Sequence, residues 1–139
     1  MIRAALFAVV LSLPASASAQ NGSAERPVSG TFTEEQVALG EKVFRATCSA
    51  CHEPTFHSGE QFMFSWKGRT LYDYFKVVKT TMPEDNPAGL PDDDYVRVIA
   101  YIMKLNGYAP GTDSLRADSL HLKRIRIGES REPQRTGSP

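Results

Sequence analysis

The sequence predicts an all-α domain, and three observations carry that expectation. Apolar residues recur at helical spacing in three stretches, turn residues separate those stretches, and no segment strongly indicates a strand. Thr33 with Gln36 three residues on forms a capping box, and Phe32 with Val37 makes the matching hydrophobic staple, so the first helix starts here. It continues through Val37, Gly40, Val43 and Phe44 into residues 48–52, and Gly40 lets a second helix approach closely. From Glu53 to Lys67 no period holds, and Phe56, Phe62, Phe64 and Trp66 mark a loop rich in aromatic rings. Thr70 and Asp73 repeat the capping pattern before Leu71, Tyr74, Phe75 and Val78, a helix ending near Thr81. Pro83, Asn86, Pro87 and Gly89 then stiffen a turn. Pro91 suits a first helical position, and Asp92, Asp93 and Asp94 face the positive end of the helix dipole, a structural role preferred here over a docking patch. Val98, Ile99, Ile102 and Leu105 complete that helix, which Asn106-Gly107 stops.

The two ends read differently from this centre. Arg3, the apolar run from Ala4 to Leu13 and the small residues Ala15 to Ala19 have the form of a signal peptide over residues 1–19. The run is too short to cross a bilayer, which needs roughly 20 apolar residues, and no later stretch comes near that length; a retained anchor is the weaker reading. Residues 20–30 lack apolar periodicity and read as a flexible leader, 31–111 as the domain, and 112–139 as a tail that packs in part and then frays. Sixteen basic residues balance sixteen acidic ones, so no global field points to nucleic acid or a charged membrane surface.

Two cysteines in an exported chain suggest a disulfide by default. The spacing of Cys48-Ser49-Ala50-Cys51-His52 points elsewhere, because C-x-x-C-H is the pattern of c-type haem attachment. On a helical segment, positions three and four apart share a face. Both thiols can then reach the haem vinyl groups while His52 presents its imidazole to the iron. The competing C-x-x-C redox site needs a βαβ context that this chain lacks.

Iron held by His52 needs a sixth ligand or an open position, and that choice separates a carrier from a catalyst. Met103 falls in the last helix and reads as core, whereas Met63 lies in the aromatic stretch and reads as packing. His57 and His121 read as surface residues. Met82, on a loop between two helices and directly before Pro83, is the expected axial ligand, with Met63 its competitor. A methionine ligand raises the reduction potential relative to a second histidine. The Trp66 indole N–H is a candidate donor to a haem propionate, with a plain core role as the alternative.

From Thr31 to Gly111, the order of capped helix, attachment motif, middle helix, Met82-Pro83 and final helix resembles class I cytochromes c. Gly40 and Phe44 against Val98 and Tyr101 match the family's crossing of first and last helices. The resemblance implies three main helices, with loops wrapped around one covalently bound haem c. Trp66-Lys67-Gly68, Thr81-Met82-Pro83 and Asn106 to Gly111 are similar to cytochrome c subunits associated with quinone-cofactor alcohol dehydrogenases. The chain departs from many members in having no proline between Pro54 and Pro83 whose carbonyl would accept the imidazole N–H of His52.

These readings imply an exported one-electron carrier with no catalytic residues. Its redox partner would be a dehydrogenase, an oxidase or a respiratory complex. A small cytochrome subunit of a dehydrogenase complex, with the tail as assembly arm, is the second reading. A haem enzyme or gas sensor with a labile sixth ligand is the third.

Overall fold

The computed structural model describes residues 26–128. The expected signal peptide, leader residues 20–25 and the end of the tail lie outside the described residues. The element order is β1 (Arg26–Pro27), α1 (Glu34–Val43), a π-helical turn (Phe44–Cys48), a 3-10 turn (Pro54–His57), α2 (Gly59–Trp66), α3 (Leu71–Thr81), α4 (Asp92–Leu105), α5 (Ser119–Lys123) and β2 (Ile125–Arg126).

Local chemistry sets the three main helices. Thr33 accepts from the Gln36 N–H while the Gln36 side chain accepts from the Thr33 N–H, closing the capping box of α1. Thr70 and Asp73 close a second box at the start of α3. Pro91 sits at the N-cap of α4 rather than at its expected first helical position, and the three aspartates fill the first turn. Asn106 ends α4, with Gly107 at φ 80°.

The core forms where α4 crosses α1. A Cβ on Gly40 would come within 1.9 Å of the Arg97 carbonyl oxygen, so the crossing admits glycine alone without a backbone shift. Phe44 meets Tyr101 there at 5.5 Å between ring centroids. Val98, Ile99, Ile102 and Met103 are buried along the same helix, which bears out Met103 as a core residue.

Two segments differ from expectation. Residues 54–57 and 59–66 are helical rather than loop. Ser58 supplies no side-chain cap to α2; Asn106, 47 residues away, accepts from the Gly59 N–H at 3.0 Å and donates to the His57 carbonyl at 2.8 Å. A helix capped by a distant residue leaves no local start signal. The leader also joins the fold sooner than expected: β1 pairs in parallel with β2, and Val28 is 1% exposed. The described part of the tail packs on the domain, burying Leu115, Leu122, Ile125 and Ile127. Ile127 bonds to the turn before α3, with Gly68 N–H to Ile127 C=O at 2.7 Å and Ile127 N–H to Arg69 C=O at 2.9 Å.

Candidate functional site

Cys48 closes the π-helical turn that follows α1, and the chain then turns tightly. The N–H groups of Cys51 and His52 both reach the Cys48 carbonyl, at 3.1 and 2.9 Å. The Cys48 carbonyl, left without a continuing helix, is satisfied by the residues that carry the motif. Neither thiol is in a disulfide; Cys51 is exposed and Cys48 half-buried against the core. Burial pushes the Cys48 thiol pKa up.

The His52 ring lies 5.0 Å from the His57 ring, and His57 in turn meets Phe44 edge-on at 6.0 Å. His57 is therefore half-buried beside the motif, not a plain surface residue, because the 3-10 turn folds it back over α1. Burial, and then the neighbouring His52, lower its pKa below the ordinary imidazole value. His121 is also half-buried, and its Nε2 is enclosed.

Trp66 ends α2 and packs against Tyr74 at 4.6 Å, with the Arg69 guanidinium over its ring at 4.7 Å. Tyr74 is buried and meets Phe62 edge-on at 5.5 Å. Burial, and then Cys48 close by, push its phenol pKa up, so Tyr74 joins the attachment turn to Trp66. Sequence reasoning placed Tyr74 only in the apolar stripe of α3, where its spacing hides any further role.

Met82 caps the C-terminus of α3, with its N–H on the Val78 carbonyl at 2.9 Å and a cis peptide to Pro83. The Tyr95 hydroxyl donates to the Met82 carbonyl at 2.7 Å. Among the described residues Met82 makes no hydrogen bond or ring contact with the 48–52 turn. Met63 instead has its sulfur 3.7 Å from the Tyr108 hydroxyl, whose one proton goes to the Gly128 carbonyl. Along α2, Glu60, Gln61, Met63, Phe64 and Lys67 line an open hollow of about 510 Å³, and Phe64 is 95% exposed.

Residues 35–102 match the family model described as cytochrome C oxidase, cbb3-type, subunit III. This is a class I cytochrome c domain. The search of curated proteins and that of solved structures each returned no match. The cytochrome domain carries covalently bound haem c, and Cys48 and Cys51 have the spacing that attachment requires. The donor set fits that group: two thiols outside any disulfide and a histidine directly after the second. The cytochrome's task is electron transfer rather than enzymatic turnover. Among the described residues no helix is long and apolar enough to cross a membrane.

Proposed function

We propose that this protein is an exported mono-haem cytochrome that carries one electron between a periplasmic dehydrogenase or respiratory complex and a terminal acceptor. Cys48 and Cys51 would hold the haem through thioethers, His52 and Met82 would take the two axial positions, and Trp66 would donate to a propionate. The bound haem supplies the one-electron iron couple, and a methionine ligand opposite histidine holds its potential high. Attachment reads most directly from the 48–52 turn, where one carbonyl gathers the backbone of both later motif residues and leaves both thiols outside any disulfide.

Two further observations support the ligand assignment. Met63 is engaged with Tyr108, whereas Met82 sits at a helix end with its backbone pinned from both sides. The Trp66 indole makes no hydrogen bond among the described residues, and Arg69 adds positive charge over its ring, a setting that suits an anionic propionate. The carrier is favoured over a subunit with a long assembly arm. Leu115, Leu122, Ile125 and Ile127 of the tail are spent on the domain's own core.

Optical spectra of the purified protein test this reading. The oxidised form should show the methionine–iron charge-transfer band in the red, and the reduced form should not bind carbon monoxide. Met82→Ala should abolish the band and lower the potential, and Met63→Ala should do neither. A band that survives Met82→Ala refutes the assignment.

A further inference from the structure

The loop from Met82 to Leu90 leaves α3 and enters α4, and one buried side chain touches both of its ends. Tyr95, 1% exposed in the first turns of α4, donates its hydroxyl proton to the Met82 carbonyl at 2.7 Å and lies 3.4 Å from the Leu90 N–H. The Leu90 N–H is a donor and the Met82 carbonyl an acceptor, so a hydroxyl, which both gives and takes, closes the loop at its base. The ring is held in turn by Phe75 of α3, edge-on at 6.3 Å. Within the loop the Ala88 N–H reaches the Lys79 carbonyl at 2.9 Å, and Lys79 Nζ pairs with Asp92 at 2.5 Å. Those contacts stiffen the tip and flank of the loop. Of these contacts, only the Tyr95 hydroxyl grips Met82 itself from α4.

We propose that Tyr95 is a positioning residue for the axial methionine. Its hydroxyl fixes the backbone of Met82 and so resists displacement of the thioether from the iron. The inference rests on Met82 being the sixth ligand. A ligand on a tethered backbone reaches the iron without first ordering its loop, whereas one on a loosened loop gives up that ordering entropy each time the bond forms. Removing the hydroxyl also leaves the Met82 carbonyl without its donor in a part-buried place, which favours loop conformations that turn it to water. Both effects push the same way, toward an easier exchange of Met82 for an outside ligand.

The test is an imidazole titration of the oxidised, haem-loaded, full-length protein, followed at the methionine–iron band. Imidazole nitrogen replaces the methionine sulfur on the iron, so its affinity measures how firmly Met82 holds its place. Tyr95→Phe, which keeps the ring against Phe75, should bind imidazole about tenfold more tightly than the wild type. Lys79→Ala, which cuts the neighbouring surface pair but not the Met82 carbonyl contact, should change it by less than about threefold. Unchanged imidazole affinity in Tyr95→Phe overturns the proposal, and so does a lower melting temperature alone. Met82→Ala in the same experiment separates the two readings: if it keeps the band, the ligand assignment itself fails, whereas a lost band together with unchanged imidazole affinity in Tyr95→Phe overturns the role of Tyr95 alone. Should Tyr95→Phe not assemble, fluorotyrosine at this position strengthens the donor within the same ring, and imidazole should then bind more weakly; no change in that protein overturns the proposal as well.

Discussion

The attachment turn and the loop proposed to carry the axial methionine are held by different physics. The attachment side, from Gly40 through Phe44 to His52, is fixed by close packing: a backbone carbonyl fills the space a Cβ at Gly40 would need, and Phe44 lodges against Tyr101 and His57. The methionine side, from Met82 to Leu90, is mostly exposed and is held by a few polar contacts to Tyr95, Lys79 and Asp92. Packing is shared by many atoms and fails as a unit when its volume changes. Hydrogen bonds can be removed one at a time. The attachment side should therefore answer mutation with loss of the fold, and the methionine side with graded changes at the iron.

The largest effect should come from Gly40→Val. The new side chain cannot avoid the Arg97 carbonyl, and separating α1 from α4 should cost about 3 kcal/mol or more, read as a fall in the denaturation midpoint and in haem incorporation. A variant as stable as the wild type would break the contrast at its stronger end. A middle-sized effect is expected at Thr70→Ala, which removes the side-chain cap of the helix leading to Met82 and should cost about 1 kcal/mol. That box also sets a pH dependence. Hydrogen bonds from the Thr70 backbone and hydroxyl hold the Asp73 pKa below the ordinary carboxylate value. Its contribution is complete above that ordinary value and fades as pH falls through the lowered native one, so acid should narrow the gap between Thr70→Ala and wild type. A gap that widens in acid would contradict the capping role. Smallest is Lys79→Ala, an exposed pair worth under about 1 kcal/mol, which should leave the melting temperature nearly unchanged. A large loss there would mean that the methionine loop depends on its surface charges and not on Tyr95.

How far the sequence revealed this site follows from the range of each contact. Thr33, Thr70 and Asn106-Gly107 announced their helices because a cap acts within a few residues. Gly40 and Phe44 were legible as a crossing because the helical period puts them on one face. The helix over 59–66 was missed because its cap comes from Asn106, and the leader's strand because its partner lies at Ile125 and Arg126. The same reason hid the roles of Tyr74 and Tyr95. Tyr74 read as one more apolar position in a helical stripe and Tyr95 drew no reading at all, and only the fold brings Tyr74 close to Cys48 and Tyr95 onto the Met82 carbonyl.

The parallel pairing of β1 with β2 bears on the order in which the chain can be completed. Arg26 donates its N–H to the Arg124 carbonyl, and the turn before α3 waits for Ile127. As the polypeptide is made, Arg26 and Pro27 therefore have no strand partner until Ile125 and Arg126 have followed. A ribosome-stalled or clipped product ending before Ile125 would hold all four longer helices and the attachment motif. It would still leave the Gly68 N–H and the Arg69 carbonyl without their Ile127 partners, backbone through which unfinished chains adhere to one another or meet a protease.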